Sequence, residues 1–488
     1  MSFRLPAAFV GCTLAALGAG VHATPPAPAA QAAAAARPAA ETALDRYVAA
    51  PDSAYKYSLV ATRPGAGHTA YLLEVVSQRW LTAADVDRPE WRHWLTIIKP
   101  DVVAHPVALL TVGGGDYKRK PPDKTDAGLA DIAVTTQSVV AELRMVPNQA
   151  LVFAGDGKER TEDAIIAYTW DRYLRTGDEK WPLRLPMTKA VVRAMDTVTA
   201  FCASANAGTA ATVDRFVVAG ASKRGWTTWT TAAVDGRVVA IAPIVIDVLN
   251  VEPSFDHHFR AYGFYAPSVT DYDEAGIMRW LGTPQMRGLL RIEDPYEYRD
   301  RLTMPKFLVN ATGDQFFLPD SWRFYLRDLP GETRVRYIPN ADHGLRGTDA
   351  MASIAAFYSS ILTGTPRPTM TWDAERDGRI RVRASGTPES VLLWRATNPS
   401  ARDFRLETLG PVWTSTPLTP VAPGTWETKL DAPTSGWTAG LIELRFASGT
   451  KYPFVFTSGV TVVPDRLPHP AAPQTGPAPS GSASAQPR

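Results

Sequence analysis

This sequence has few cysteines, a low net charge and few long apolar runs. The two cysteines are Cys12 and Cys202, and we expect Cys12 to be removed with an export signal, so no internal disulfide is predicted. Cys202 lies on the apolar face of a predicted helix and is expected to be a buried, inert thiol. The formal net charge is only +2 and no basic run occurs, so binding to nucleic acid or to acidic membranes is not predicted.

The first 23 residues resemble an export signal. Arg4 precedes an apolar run over residues 7–20, and Val21–Ala23 matches a cleavage site of small residues. We therefore predict a signal peptide over residues 1–23 and a secreted or periplasmic mature protein. The alternatives are an uncleaved anchor, for which the run is too short, and a lipoprotein signal ending at Cys12. We find no other stretch that could span a membrane.

A chain of 488 residues favours two domains with flexible ends. Residues 24–41 have the Ala/Pro-rich composition of a linker, and residues 467–488 have the Pro/Ala/Ser/Gly-rich composition of a disordered tail. Between them the pattern changes near residue 366. We predict an α/β domain over residues 42–366 and a β-sandwich-like domain over residues 367–466.

Apolar runs alternate with helical periodicity in the first domain. This alternation predicts a doubly wound, mostly parallel sheet that is covered on both faces. Residues 250–302 interrupt the alternation and are interpreted as a lid-like insertion. The predicted strands are Trp94–Ile98 with Val107–Val112 as its neighbour, Ser138–Met145, Phe216–Ala219, Val238–Ile246, Phe307–Asn310 and Arg334–Ile338; later helices are predicted at Lys223–Val234, Ser321–Leu329 and Asp349–Leu362.

Short β-rich segments separated by Gly, Pro, Asp and Ser dominate the second domain, which is typical of a small sandwich. The predicted strands are Arg379–Arg383, Ser390–Trp394, Phe404–Leu409, Thr425–Leu430, Ala439–Phe446 and Tyr452–Thr457.

Ser222 lies where a short buried strand meets a helix. The local sequence is Gly220-Ala-Ser-Lys-Arg-Gly-Trp226. A nucleophilic serine belongs on such a turn, because the bend exposes its hydroxyl beside the N–H groups of a helix N-terminus. The pattern departs from Gly-x-Ser-x-Gly, since Arg224 takes the place of the second glycine and Gly225 follows one residue late. The alternative is that Ser222 only caps a helix.

Acid and base candidates follow the last two strands of the first domain. Asp314 follows the next-to-last strand and His343 follows the last, so the order along the chain is Ser, Asp, His, as in α/β-hydrolases. We predict that His343 takes the proton of Ser222 and that Asp314 orients the imidazole. Asp247 is a rival acid, and Asp342 is a weaker one.

A glycine run, Gly113-Gly-Gly115, follows an early strand and could expose backbone N–H groups to an oxyanion. We predict that Gly114 and Gly115 supply these donors together with the amide of Lys223. A phosphate-binding loop is not indicated, because no Gly-Lys-Ser/Thr pattern follows. The side chains of Lys223 and Arg224 either reach the oxyanion or a substrate carboxylate, or form a solvated or salt-bridged pair.

Aromatic residues are frequent in the insertion at residues 250–302. We predict that Phe259, Tyr262 and Trp280 contribute to substrate binding together with Arg224, since inserts between late strands often cover the cleft. Packing of these rings within the insertion itself is the alternative. His257-His258 has no matching ligands nearby, so no metal site is predicted.

Five segments of the chain resemble the PhoPQ-activated pathogenicity-related protein family, over about residues 42–465. This resemblance implies an exported bacterial α/β hydrolase with a C-terminal β domain, but no particular reaction. The turn at Ser222 is also similar to the corresponding turn of glucuronoyl esterases, where the basic residue after the serine assists the oxyanion. This similarity implies the same role for Lys223. The segments are Gly220–Trp229, Ala311–Phe317, Asn340–His343, Val146–Gln149 and Trp170–Met195.

The expected function is hydrolysis of an ester or amide, in a small molecule or a polymer, through an acyl-Ser222 intermediate. Neither a cofactor nor a metal is implied. The runner-up within this class is a peptidase similar to prolyl oligopeptidases. From another class, the alternative is an exported binding or signalling protein whose triad is vestigial. The sequence does not indicate an oligomeric state.

Overall fold

The computed structural model describes residues 41–473. The predicted signal peptide, the predicted linker up to residue 40 and the predicted tail after residue 473 lie outside the described residues. No helix in the described range is long and apolar enough to cross a membrane. Cys202 is a buried free thiol, and burial raises its pKa to about 12, which makes it unreactive.

The strands of the first part of the chain form one large sheet and one small hairpin. They are β1 (Lys56–Gly65), β2 (His68–Arg79), β3 (Glu90–Pro100), β4 (Val107–Val112), β5 (Val140–Leu143), β6 (Leu151–Val152), β7 (Glu159–Arg160), β8 (Arg215–Ala221), β9 (Val238–Ile244), β10 (Lys306–Ala311) and β11 (Thr333–Ile338).

The large sheet has the order β1-β2-β3-β5-β4-β8-β9-β10-β11. Pairing is antiparallel from β1 to β5 and parallel from β5 to β11. The expectation that β3 and β4 are neighbours is wrong, because β5 lies between them. Strand β4 is buried on both faces, so its composition alone did not show which strands flank it.

Helices cover both faces of this sheet, and short 3-10 helices occur in the connections. The α-helices are α1 (Ala43–Ala49), α2 (Ala127–Thr136), α3 (Glu162–Thr176), α4 (Arg184–Ala203), α5 (Lys223–Val234), α6 (Val251–Tyr262), α7 (Thr270–Glu274), α8 (Pro284–Glu293), α9 (Ala350–Thr363) and, in the C-terminal part, α10 (Leu406–Leu409). The 3-10 helices are Ala205–Ala207, Pro267–Val269, Ile277–Trp280, Pro295–Arg301, Ser321–Phe324 and Leu326–Asp328.

Alternating side chains of β8 show how the sheet separates two hydrophobic cores. Phe216 and Val218 enter the core that contains helices α4 and α5. Val217 and Ala219 enter the core that contains helices α2 and α9. A strand with both faces buried is apolar throughout, as this one is, and its period of two divides the side chains between the faces. The doubly wound architecture predicted from the sequence is therefore present.

Two antiparallel sheets make up the C-terminal part, in the orders β12-β13-β16 and β15-β14-β17-β18, with β19 paired to β17. Apolar residues of β13, β16 and β17 share one core, as expected of a sandwich. The strands are β12 (Met370–Ala374), β13 (Arg379–Ala384), β14 (Ser390–Asn398), β15 (Thr414–Pro417), β16 (Thr425–Lys429), β17 (Trp437–Phe446), β18 (Phe454–Thr457) and β19 (Thr461–Val463).

Two predicted elements are wrong. The expected strand Phe404–Leu409 is a turn followed by α10, because the Asp403 side chain accepts the amide of Arg405 at 3.0 Å and so competes with strand pairing. The expected helix Ser321–Leu329 is a pair of 3-10 turns. Its Trp322 is anchored to the carbonyl of Val460 at 2.9 Å, a tertiary contact that the local pattern did not indicate.

The change from mixed to antiparallel sheets lies between α9 and β12, at the boundary predicted near residue 366. Packing does not stop there: both hydrophobic cores contain residues from the two sides, and the described residues from Thr42 to residue 473 form one compact unit. The first residues of the predicted tail also pack on this unit. The amide of His469 donates to the carbonyl of Arg260 at 3.1 Å, at the end of α6.

Candidate active site

Ser222 occupies a tight turn between β8 and α5. Its backbone has φ 58° and ψ −129°, a conformation that is strained for a residue with a side chain. The amide of Ser222 donates to the carbonyl of Ile244 at 2.8 Å, and its carbonyl accepts the amide of Trp226 at 2.9 Å. These bonds hold the turn between β9 and the first turn of the helix. This is the geometry of a nucleophile elbow.

Two glycines let strand and helix approach each other at this turn. A Cβ atom on Gly220 would lie 2.7 Å from the carbonyl oxygen of Arg224, and one on Gly225 would lie 2.8 Å from that of Gly220. Each position therefore needs the absence of a side chain. Gly225 therefore allows the close strand–helix packing, although it lies one position after the second glycine of the Gly-x-Ser-x-Gly pattern. Arg224 occupies the position of that glycine.

Asp314 and His343 are in contact beyond the ends of β10 and β11. His343 Nδ1 lies 2.8 Å from Asp314 Oδ2, and the carboxylate is 4% exposed. The other carboxylate oxygen accepts the amides of Phe316 at 2.7 Å and Phe317 at 3.3 Å. These bonds fix the carboxylate, so it can orient the imidazole with Nε2 turned away from it.

The rival acids have other partners. Asp247 accepts hydrogen bonds from Tyr325 at 2.6 Å and Tyr337 at 2.5 Å. Burial raises the pKa of Asp247 to about 7 in spite of these bonds. Asp342 accepts the amide of Gly344 at 2.8 Å in its own turn. Of the three carboxylates, Asp314 is the one in contact with His343.

Ser222 and His343 belong to the same edge of the sheet, because β8, β10 and β11 run parallel and both residues follow strand ends. The structure does not join them directly. His343 Nε2 is buried and has no hydrogen-bond partner among the described residues. A hydrogen bond between Ser222 Oγ and His343 Nε2 would need a side-chain adjustment; such bonds are often long or poorly aligned in ligand-free enzymes.

The predicted oxyanion donors lie on two segments beside the turn. Strand β4 is paired with β8 so that Val112 is opposite Gly220, and the glycine run begins at the next residue. Within the described residues, the amides of Gly114, Gly115 and Lys223 donate to no protein acceptor. Unpaired backbone N–H groups near a nucleophile are what an oxyanion would need.

Lys223 and Arg224 form ion pairs with carboxylates of α3. Lys223 Nζ lies 2.8 Å from Glu162 Oε2 and 3.0 Å from Asp163 Oδ2. Arg224 Nη2 lies 2.7 Å from Glu162 Oε1, and Arg224 Nε donates to the carbonyl of Val146 at 2.5 Å. Both basic side chains are largely buried, at 7% and 11% exposure, so the salt-bridged alternative describes them and the solvated one does not.

Arg224 also contacts the glycine run. A Cβ atom on Gly114 would lie 2.4 Å from Arg224 Nη2, so the guanidinium rests against the backbone at this position. Arg224 thus links the helix after Ser222 to the segment that carries the other candidate oxyanion donors.

Glu162, which the sequence reasoning missed, holds both basic residues. Its backbone has φ 48°, and its amide donates to Gln149 Oε1 at 2.7 Å while Gln149 Nε2 donates to Glu162 Oε1 at 2.6 Å. Burial alone would raise the pKa of Glu162, but Arg224 and then Lys223 lower it to about 2. The signal in the sequence was Val146–Gln149, noticed only as part of a resemblance.

A largely apolar pocket opens beside Ser222 and Lys223. The predicted binding residues Phe259, Tyr262 and Trp280 do not line it: Tyr262 packs against Arg405, and Phe259 packs against Tyr265. Phe259 and Tyr262 point elsewhere because α6 turns another face, which includes Phe255, to the pocket. Trp280 ends the 3-10 helix Ile277–Trp280, from which Ile277 and Met278 line the pocket instead. The aromatic side chains that line it are Trp170, Trp226, Phe255, Tyr272, Phe316 and Phe317.

The C-terminal part supports the loops that carry Asp314 and His343. The amide of Leu406 donates to the carbonyl of Gly313 at 3.0 Å, and the amide of Gly313 donates to the carbonyl of Ala341 at 3.0 Å. Asn340 exchanges two hydrogen bonds of 2.9 Å with the backbone of Trp413. The segment wrongly predicted as a strand therefore packs directly behind the acid and base loops. Among the described residues, no group of His, Cys, Asp and Glu could hold a metal ion.

Sheet order, strand–turn–helix geometry at Ser222 and the carboxylate–imidazole pair define an α/β-hydrolase. The sequence profile of the PhoPQ-activated pathogenicity-related protein family matches residues 44–405. The chain belongs to this family.

A curated relative is the autocrine proliferation repressor protein A of Dictyostelium discoideum, which is 38% identical over 88% of this chain and 91% of that protein. Among solved structures, acetyl xylan esterase 1 from Thermoanaerobacterium sp. JW/SL YS485 is similar with a TM-score of 0.45 and 16% identity, covering 66% of this chain and 91% of that one. A glucuronoyl esterase from Solibacter usitatus has a TM-score of 0.33 and 13% identity, covering 58% and 76%. These two structural similarities say nothing about the reaction of this protein.

Proposed function

We propose that this protein is a serine hydrolase that cleaves an ester or amide through an acyl-Ser222 intermediate. Ser222 Oγ attacks the substrate carbonyl carbon while its proton passes to His343 Nε2. The carbonyl oxygen becomes an oxyanion, and the backbone amides of Gly114, Gly115 and Lys223 donate hydrogen bonds to it. Asp314 orients the imidazole and stabilises the imidazolium form.

The tetrahedral intermediate then collapses. The bond to the leaving group breaks, and the proton on His343 Nε2 goes to the leaving alcohol or amine. A water molecule gives a proton to the same nitrogen and attacks the acyl carbon. The acid is released, and the proton returns to Ser222. No other reactant is needed.

The observation that carries this proposal is the 2.8 Å contact between Asp314 and His343 at the sheet edge where Ser222 forms its turn. A buried carboxylate that orients an imidazole, beyond the same ends of parallel strands as a serine on a strand–turn–helix bend, is the arrangement that acyl transfer uses. The strained φ of 58° at Ser222 supports it, because such strain is concentrated at functional sites.

Labelling with a fluorophosphonate probe tests the proposal. We expect the wild-type protein to be modified at Ser222, as peptide mapping would show, and Ser222→Ala to remain unmodified. Ser204→Ala is the matched control and should label like the wild type, since Ser204 only bonds a helix carbonyl. Absence of a Ser222 adduct, together with no turnover in a broad screen of acyl esters and amides, would contradict the proposal.

The second candidate is a binding or signalling protein with a vestigial triad. It is favoured by the name of the Dictyostelium relative, a proliferation repressor, and by the lack of a hydrogen bond at His343 Nε2 within residues 41–473. This candidate predicts no labelling at Ser222 and unchanged function in Ser222→Ala. In either case, we propose that the protein acts after export, on the basis of residues 1–23.

A further inference from the structure

The charged end of the pocket beside Ser222 is already neutralised. Lys223 and Arg224 contribute two positive charges, and Glu162 and Asp163 contribute two negative ones, all joined by contacts of 2.7–3.0 Å. Tyr272 donates its hydroxyl to the second oxygen of Asp163 at 2.9 Å. An incoming carboxylate would therefore have to break an existing ion pair, and would lose its hydration in doing so.

Apolar side chains form the rest of the pocket. Trp170 packs edge-on against Trp226 with a centroid distance of 6.1 Å and against Tyr272 with one of 5.5 Å. Met278 and Phe255 come from the insertion and complete the wall. This lining favours removal of an uncharged group from water.

The position of the base decides which half of the substrate enters. The leaving group must take its proton from His343 Nε2, and His343 does not line the pocket, whereas Ser222 and Lys223 do. The leaving group therefore lies toward His343, and the acyl group lies toward the pocket.

We propose that this pocket selects an uncharged, apolar acyl group, either an alkyl chain or an aromatic ring. The inference rests on the proposed acyl-Ser222 mechanism and names its substrate class. It also assigns Lys223 and Arg224 to the scaffold and not to recognition of a substrate carboxylate.

A series of p-nitrophenyl esters tests the selectivity. From acetate through butyrate to hexanoate, kcat/KM is expected to rise about three- to fourfold for each methylene that enters the pocket. Pentanoate and mono-glutarate esters form a matched pair that differs in a terminal carboxylate, and the glutarate should be at least about tenfold worse. Equal or faster turnover of the glutarate, or no dependence on chain length, would overturn the inference.

A variant at the pocket wall adds a structural test. Met278 is half-buried, so Met278→Trp should fold and shorten the pocket. The hexanoate-to-acetate ratio of kcat/KM should fall about tenfold or more, while fluorophosphonate labelling of Ser222 persists. Met351→Trp, at a methionine 40% exposed on α9, is the control and should leave the ratio unchanged. An unchanged ratio in Met278→Trp would count against the assignment.

A binding measurement separates this inference from the proposed function. Ser222→Ala keeps the pocket, and methyl hexanoate should change its tryptophan emission, since Trp170 and Trp226 line the site. Binding without turnover by the wild type would reject the hydrolase but support the apolar pocket. Turnover without acyl preference would reject the pocket assignment alone. Absence of both would reject the two together.

Discussion

Replacing Glu162 with glutamine should weaken both the fold and the candidate active site. The carboxylate accepts Arg224 at 2.7 Å and Gln149 at 2.6 Å, and it lies 2.8 Å from Lys223. Glutamine has the same shape but only one acceptor oxygen and no charge. The variant therefore leaves Lys223, whose side chain is 7% exposed, with Asp163 as its remaining carboxylate partner.

The expected magnitude follows from these contacts. Loss of charge-assisted hydrogen bonds to buried partners costs about 1–3 kcal/mol, and we expect the lower half of that range because Glu162 is 38% exposed. Arg224 would keep its bond to the Val146 carbonyl but lose its ion pair, so its contact with Gly114 and the relation between the two sets of oxyanion donors would loosen. A displaced donor set should lower kcat/KM for an ester substrate about ten- to hundredfold.

The pH dependence gives a second readout. The pKa of Glu162 is about 2 in the folded protein and 4.5 for an unperturbed glutamate. A lowered pKa stabilises the fold above pH 4.5, and this contribution is lost as the pH falls toward 2. The difference in unfolding free energy between the wild type and Glu162→Gln should therefore shrink over that interval.

Chemical denaturation and steady-state kinetics on the same preparations would measure these effects. Glu179→Gln is the matched control, because Glu179 makes an exposed ion pair with Arg46 at 2.5 Å. It should change the unfolding free energy by less than about 0.5 kcal/mol and leave kcat/KM unaltered. If Glu162→Gln behaved like this control in both assays, the idea that Glu162 positions the two oxyanion segments would be wrong.

Other acidic residues yield three further predictions. Asp314→Asn should lower kcat about 10³- to 10⁴-fold with little change in KM, because the imidazole loses its orienting charge; steady-state kinetics would check this. Asp342→Asn should leave kcat within about threefold, since Asp342 caps only its own turn, and a loss equal to that of Asp314→Asn would reverse the assignment of the acid. Asp247 has a pKa raised to about 7 by burial, so its contribution is fully present below pH 3.8 and is lost as the pH rises through 7. In Asp247→Asn, the unfolding free energy from denaturation curves at pH 4, 6 and 8 should fall less with rising pH than in the wild type. The same fall in both proteins would refute the account.

Local sequence patterns were sufficient where chemistry and structure are both local. The helix Lys223–Val234 and the strand Val107–Val112 were predicted with the bounds that the structure has, since their apolar periodicity and flanking residues define them. Ser222, Asp314 and His343 could be picked as candidates because each has a reactive side chain and follows a predicted strand. Their positions after successive strands favoured Asp314 as the partner of His343 and left Asp247 as a rival acid.

Long-range contacts account for what was missed. Strands β1 and β2 pair with each other at the edge of the sheet, and their mixed composition gave little signal. Glu162 was overlooked because its role is to form ion pairs with Lys223 and Arg224, which are about sixty positions away in the chain. Phe259 was chosen over Phe255 because composition does not reveal which face of α6 turns inward.

The sequence by itself determined the class of fold, the candidate nucleophile and base, and a short list of candidate acids, because each depends on hydrophobic period or on residue chemistry within a few positions. Only the tertiary structure decided which carboxylate contacts the imidazole and which side chains line the pocket. It also decided that Lys223 and Arg224 form ion pairs with carboxylates of α3. Those outcomes depend on the free energy of contacts between distant segments, and no local pattern encodes which segments meet.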